Sequence, residues 1–434
     1  MIQRALSYDR TPPLSVPLRF FLSAPIFLFA AAALLLWEGP LALLSRWTPA
    51  TLALTHLLTL GFLSMAMIGA LLQILPVVAD IQLPFPQATA RFVHALLAAG
   101  AILLACAFWH SYPLLFRLAL LCLVPAFLWL LTACFIGMRN KPKLKSKAAG
   151  TVGAIRLAVI ALVITVLLGA ALASTFAWPH ALPTLLLTDL HVLWGLSGWV
   201  GLLVIGVAFQ VVPMFQVTAL YPVDITRVLA GTLFLLLILW STEAMLESQW
   251  NTVALSGMIL SGFIVFAGIT LYLLARRKNP KLDASTLFWA TAMASLFVCA
   301  AVWLTQTASG HKAYALTLGV LFIIGFAGSL INGMLYRIVP FLLWYHAQNE
   351  TGEGVRQIPN VRQLLPEQTA IRQFRMHLLA LLLLIGATLL PEVLARPAAL
   401  AMCISSGWLF LNLLNAVRMH AAARKSRIST FVSA

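Results

Sequence analysis

Long apolar runs alternate with short polar or basic ones along the whole chain, and the apolar runs carry no period of two. Spanning a bilayer takes roughly 20 apolar residues as a helix. The sequence holds twelve such runs, starting near Phe20, Thr51, Phe92, Leu114, Ile155, Leu185, Val228, Val253, Leu282, Ala313, His377 and Ala398. Segments 2, 6 and 10 are predicted to be the longest, at about 30 residues or about 45 Å of helix. They must tilt or project beyond the hydrocarbon.

Those three segments share a pattern. Gly61-Phe62, Gly69, Gln73 and Pro76 are matched by Gly198-Trp199, Gly206, Gln210 and Pro213, and again by Gly325-Phe326, Gly333, Arg337 and Pro340. The spacing is Gly-aromatic-x6-Gly-x3-Gln/Arg-x2-Pro each time. Three copies in register indicate a triplicated design. The expected fold is all-α and polytopic: one transmembrane domain over residues 1–434, with twelve helices in three pseudo-symmetric groups of four, about 20–138, 155–275 and 282–418. Gly69, Gly206 and Gly333 allow close helix approach. The prolines are expected to end or bend their helices. A polar loop, 347–372, is the one substantial stretch expected outside the membrane.

Composition agrees. The chain of 434 residues is 62% hydrophobic and 9% charged, more apolar than a soluble protein can bury. Its net charge of +16 does not indicate a nucleic-acid partner, because the cations cluster in short loops, where they set topology. These loops are 139–147 (RNKPKLKSK), 276–281 (RRKNPK), the loop with Arg356, Arg362, Arg372 and Arg375, and the C-terminal Arg418, Arg424, Lys425 and Arg427. The alternate loops carry Glu38, Asp189, Glu243, Glu247 and Glu392. Both termini are therefore expected in the cytoplasm, with a bacterial inner membrane as the expected location. Cys106, Cys122, Cys134, Cys299 and Cys403 all lie in apolar runs without ligand spacing and read as packing residues. There is no Walker motif, GxSxG, HExxH or dinucleotide fingerprint.

Candidate chemistry rests on two of the nine histidines. His56 and His191 fall within the outer halves of segments 2 and 6. The other histidines are expected at the membrane surfaces: His110, His180 and His311 outside, His94, His346, His377 and His420 inside. An imidazole within a membrane helix is costly and needs a partner. Measured from the matched glycines, His56 and His191 differ in height by two residues, about 3 Å. Two imidazoles at one depth can ligate one metal from opposite sides, as a six-coordinate heme requires. The alternative is a pair hydrogen-bonded within the bundle. Gly195, Gly198 and Gly61 are expected to leave room for a macrocycle, and Asp189 or a nearby carbonyl to orient His191. Gln73, Gln210 and Arg337 form either a propionate or proton-path cluster, or helix-to-helix hydrogen bonds with Arg337 snorkelling to the inner face.

The layout of twelve helices in three groups, with His56 near the outer start of segment 2 and His191 in segment 6, resembles the catalytic subunit of heme–copper oxidases. Thr55–Pro76 and Gly325–Pro340, with its YRIVP, look most like the C-type oxidase and nitric oxide reductase branch. The resemblance implies that His56 ligates a low-spin heme b and that His191 is its partner or a ligand of a second metal. Copper stays open, because segment 7 lacks the family's histidine pair and segment 10 lacks its His-x-His. A copper–heme centre built the family's way is thereby excluded, which argues against oxygen or nitric oxide reduction by that mechanism and leaves a scaffold with a single heme. The implied function is a heme-containing membrane redox protein in respiratory or nitrogen-oxide metabolism, an oxidoreductase if an enzyme, with the lipid bilayer and an electron donor or respiratory subunit as partners. A twelve-helix secondary transporter and a metal-free assembly factor of a respiratory complex are the alternatives. The loop charges make one prediction directly. Reporter fusions within 139–147, within 276–281 and at the C-terminus should all read cytoplasmic, and an external reading at any one overturns the segment count.

Overall fold

A computed structural model describes residues 10–139, 149–278, 281–309, 314–349 and 359–432. Among these residues the chain is helical throughout, without strands. Twelve helices are long and apolar enough to cross a membrane: α1 Ser15–Leu43, α2 Pro49–Ala79, α3 Pro86–His110, α4 Pro113–Arg139, α5 Ala149–Ala177, α6 Thr184–Phe215, α7 Val223–Met245, α8 Asn251–Ala275, α9 Ala284–Ser309, α10 Ala315–Gln348, α11 Glu367–Ala387 and α12 Pro391–Ala423. The chain is an integral membrane protein by this measure. Large apolar side chains such as Leu121, Leu167 and Phe135 line its outer surface, exposed to what would be lipid.

Helices α2, α6 and α10 are the interior ones. Their apolar windows are 78%, 61% and 72% buried, against 50% or less for every other helix. At 31, 32 and 34 residues they are long as expected, although α12 reaches 33. The repeat glycines explain their position. A Cβ on Gly69 would lie 2.8 Å from the Cβ of Phe20, one on Gly206 2.7 Å from Ala154, and one on Gly333 2.6 Å from Phe288. Gly61, Gly198 and Gly325 likewise press on Phe27, Ala161 and Ser295. Each interior helix thus closes on α1, α5 or α9, the helix that precedes it, through two glycines two turns apart. Side chains at those points would hold the backbones apart. Neighbour relations follow suit. Helix α1 touches α2 and α3, α5 touches α6 and α7, and α9 touches α10 and α11, while α4 leads onto α5, α8 onto α9, and α12 back onto α1.

Three features differ from the sequence expectation. Each interior helix changes to π winding at the same place: Leu57–Ser64, Leu193–Gly201 and Leu321–Gly328. The Gly-aromatic pair lies inside each π segment, and the third π segment touches both others. Secondly, the motif prolines do not stop their helices at once. Pro76 and Pro213 sit just before the ends at Ala79 and Phe215, but α10 runs well past Pro340. Thirdly, α11 starts at Glu367, ten residues before His377, and a one-turn helix, Val361–Leu364, precedes it with an Asn360–Gln363 capping box. The loop expected over 347–372 is therefore partly helical, and its residues 350–358 lie outside the described ones.

The packing makes a stability prediction. Gly333→Ala should destabilise the purified protein by roughly 1–3 kcal/mol, because the added methyl meets the Phe288 stem and neither backbone can give way. Gly268→Ala on α8, where a Cβ would meet nothing within 4 Å, should be neutral or mildly stabilising. Thermal unfolding in detergent reads both, and equal melting temperatures for the two variants would refute the close-packing account.

Candidate functional site

His56 and His191 come together. Thr48 caps α2, its Oγ1 accepting from the Thr51 amide at 3.1 Å, and Pro49 opens the first turn. Two turns later His56 ends the α-helical part, and π winding begins at Leu57. His191 lies at the corresponding point of α6, two residues before its own π segment. The two imidazoles have ring centroids 6.5 Å apart and planes inclined by 20°. His56 also stacks on Phe108 of α3 at 5.0 Å, and Phe108 packs edge-on against Phe116 and Phe176. His191 lies over Gly169 of α5, where a Cβ would come within 2.8 Å of its Cε1. Both histidines are half-buried.

Their hydrogen bonds fix the tautomers. His56 Nδ1 lies 2.7 Å from the carbonyl oxygen of Leu52, one turn back on α2, and His191 Nδ1 lies 3.1 Å from that of Thr165 on α5. A carbonyl only accepts, so each Nδ1 carries the hydrogen and donates it. Each Nε2 is then left with a lone pair, the form in which imidazole binds a metal, with the second nitrogen held by a backbone oxygen. Two imidazole nitrogens, each about 2.0 Å from a shared metal, put their ring centroids roughly 6 Å apart. The observed centroid spacing of 6.5 Å is of that length. Two imidazoles alone make an incomplete coordination shell, so the pair would suit only a metal that brings further ligands of its own, as heme iron does.

The neighbouring expectations divide. Gly61 and Gly198 do not provide room for a macrocycle, because Phe27 and Ala161 occupy the space beside them. They are helix contacts instead. Gly195 faces only the Thr165 methyl, 3.3 Å from where its Cβ would be. Asp189 does not orient His191. It pairs with Arg46 at 3.0 Å on the exposed surface, and the Thr165 carbonyl takes the orienting role. No group of three or more His, Cys, Asp or Glu side chains converges on a metal position among the described residues. Any metal between His56 and His191 would rest on those two.

The second expected cluster is split. Gln73 and Gln210 line a cavity of about 60 Å³ where the C-terminal ends of α2, α6 and α10 meet, along with Thr11, Met214 and Tyr345. A second, apolar cavity of about 80 Å³ continues from it along the same three helices. Arg337 neither joins the two glutamines nor snorkels free. It turns to Asp283, 2.7 Å away, and both side chains are mostly buried. Asp283 also caps α9, accepting from the Thr286 amide at 2.8 Å. This pairing joins α10 to the start of α9.

One buried polar cluster is missed by the sequence reading. His377, expected at the inner surface, is 0% exposed. It belongs to a buried polar seam between α10, α11 and α12 with Ser329, Asn332, Gln373 and Ser405. The spacing of Gln373, His377, Ala380, Leu381 and Leu384 on one helix face was the available signal. His311 lies outside the described residues.

No family model matches the chain, and neither does any curated protein.

Arg337 gives a prediction at this site. Arg337→Leu should destabilise the protein by roughly 1–3 kcal/mol by leaving the Asp283 carboxylate unpaired, less than for a fully enclosed pair because both groups keep some solvent contact. Adding Asp283→Asn, which keeps the cap, should restore part of the loss. A double variant no more stable than Arg337→Leu alone would show that the pair does not act as a unit.

Proposed function

We propose that this chain is a heme-binding integral membrane redox protein with the helix arrangement of the heme–copper oxidase catalytic subunit and without that family's copper site. The observation that supports it is the His56–His191 pair: two imidazoles 6.5 Å apart, each with Nδ1 tied to a backbone carbonyl and Nε2 free to bind. In this reading His56 and His191 would hold the heme iron, and Phe108 and Gly169 set the orientation of the rings. When bound, heme would supply one-electron chemistry. The protein's own part is to hold both imidazoles in the metal-binding tautomer and keep them in a largely apolar setting, next to a cluster of Phe108, Phe116 and Phe176.

The arrangement we propose is three groups of four helices about a central axis, with both termini in the cytoplasm of a bacterial cell. Its support is the recurrence of the same packing steps at α1–α2, α5–α6 and α9–α10, together with three π segments in register. Transporters of this size more often show two-fold repeats with helices broken at mid-membrane. Here α2, α6 and α10 are unbroken.

The test is a spectrum. Protein purified in detergent should carry about one iron per chain and show a Soret band that shifts on dithionite reduction. His56→Ala and His191→Ala should each lose the reduced low-spin signal, while His94→Ala and His420→Ala keep it. A colourless, metal-free preparation, or a Soret band that survives both substitutions, would sink the proposal and favour the transporter or the assembly factor. Copper without iron would transfer the same two histidines to a different metal.

A further inference from the structure

The third repeat differs from the other two in a way that points to a second site. Ser329, Asn332 and Tyr336 on α10 occupy positions matched by Met65, Ile68 and Leu72 on α2 and by Leu202, Ile205 and Phe209 on α6. All nine are buried. Three polar side chains thus replace apolar ones on one face of a single repeat, inside the membrane, where each costs free energy unless satisfied. That face meets α11 and α12, which present Gln373, His377, Ser405 and Asn412 to it.

Most of the seam is satisfied. Asn332 Nδ2 donates to the Gly328 carbonyl at 2.8 Å. Gln373 Nε2 donates to the Ser405 carbonyl at 3.1 Å and to Ser405 Oγ at 3.0 Å, with Asn332 Oδ1 at 3.4 Å. Asn412 donates to the Tyr336 hydroxyl at 2.9 Å. Ser329 Oγ donates to the Ile324 carbonyl at 3.3 Å, within the π segment. Its single hydrogen being so used, Ser329 Oγ accepts from His377 Nε2 at 2.9 Å. His377 is then the Nε2–H tautomer, and its Nδ1 carries a lone pair.

Two atoms remain without a partner: His377 Nδ1 and Gln373 Oε1. Both side chains are 0% exposed. Both atoms are acceptors, so they cannot satisfy each other. Their residues are four apart on α11 and so share a face, with Cβ atoms about 5–6 Å apart. A group that donates two hydrogen bonds would satisfy both. We propose that one buried water binds here, donating to His377 Nδ1 and to Gln373 Oε1. A metal ion is the poorer occupant, since two ligand atoms fall short of any ordinary coordination shell. The water completes an unbroken hydrogen-bonded line from Asn332 through Gln373, the water, His377 and Ser329 to the Ile324 carbonyl. The line runs about two helical turns along α10 and ends in the π winding. It is a site for exchangeable protons in a part of the membrane interior where the other two repeats are apolar.

The experiment is magic-angle-spinning NMR on full-length protein in lipid, labelled with ¹⁵N-histidine. The His377 resonances are identified by their loss in His377→Phe, and by comparison with Gln373→Leu should that variant fail to fold. The expected result is a neutral Nε2–H imidazole whose Nδ1 shows a cross-peak to a water proton that outlasts exchange of the surface histidines, and that weakens at least several-fold in Gln373→Leu. No water cross-peak, or one of unchanged strength in Gln373→Leu, overturns the proposal. So does an Nδ1 shift that a chelator reverses, which would assign the site to a metal. None of these readouts depends on heme, so the seam and the His56–His191 site stand or fall separately.

Discussion

The structure depends on backbones meeting without side chains between them. Each of α2, α6 and α10 lies against the helix before it through two glycines eight residues apart, and at every one of the six positions a single Cβ would run into a neighbouring side chain. In hydrocarbon there is no solvent to squeeze out, so helices associate through close packing and a few polar contacts. This contact therefore sets which helices are interior. Once α2 lies on α1, α6 on α5 and α10 on α9, the three long helices face one another, and the outer helices cover what remains.

The histidine pair follows from that arrangement. His56 and His191 sit on different interior helices, and no local interaction brings them together. Their common height comes from the glycine register, which places both just before a π segment. Their orientation comes from two carbonyls, one on the histidine's own helix and one on α5. The helix pack supplies position, and the hydrogen bonds supply the tautomer. An imidazole pair with its Nε2 lone pairs left over is what remains; a hydrogen bond between the two rings would need one of them to carry its hydrogen on Nε2 and so give up its donation to the backbone carbonyl.

Much of this was legible in the sequence, because apolar length and glycine spacing are strong signals in membrane helices. The twelve spans, the repeat, the length of α2, α6 and α10 and the common height of His56 and His191 can all be read from residue order. Four things could not. Winding changes from α to π leave no distinct mark on an apolar pattern, since the same residues suit both. The role of a glycine is ambiguous in sequence: Gly61 and Gly198 looked like room for a ligand, and Phe27 and Ala161 take that room. The depth of His377 was misjudged because Glu367, Arg372 and Arg375 resemble loop residues, yet α11 begins among them and carries their charges outward while Gln373 and His377 turn in. Whether Asp189 or a nearby carbonyl orients His191 was open in the sequence; Arg46, far away in the chain, takes the Asp189 carboxylate, and the Thr165 carbonyl holds the ring.

Triplication leaves three equivalent faces, and the chain has used them unequally. The first two repeats keep an imidazole near the N-terminal end of the helix and apolar residues at the three positions that are polar in the third. The third has no histidine at the outer position and carries Ser329, Asn332 and Tyr336 lower down. A symmetric bundle would gain nothing from burying those groups, and each would have to recover its lost hydration through a hydrogen bond. That they are bonded almost without exception, to partners on two further helices, indicates that α10, α11 and α12 are matched to one another as a unit. The two polar places do not compete for the same space. One lies between the N-terminal ends of α2 and α6, the other behind α10 toward its C-terminal half, and the third π segment touches the other two π segments and accepts a hydrogen bond from Ser329 of the seam.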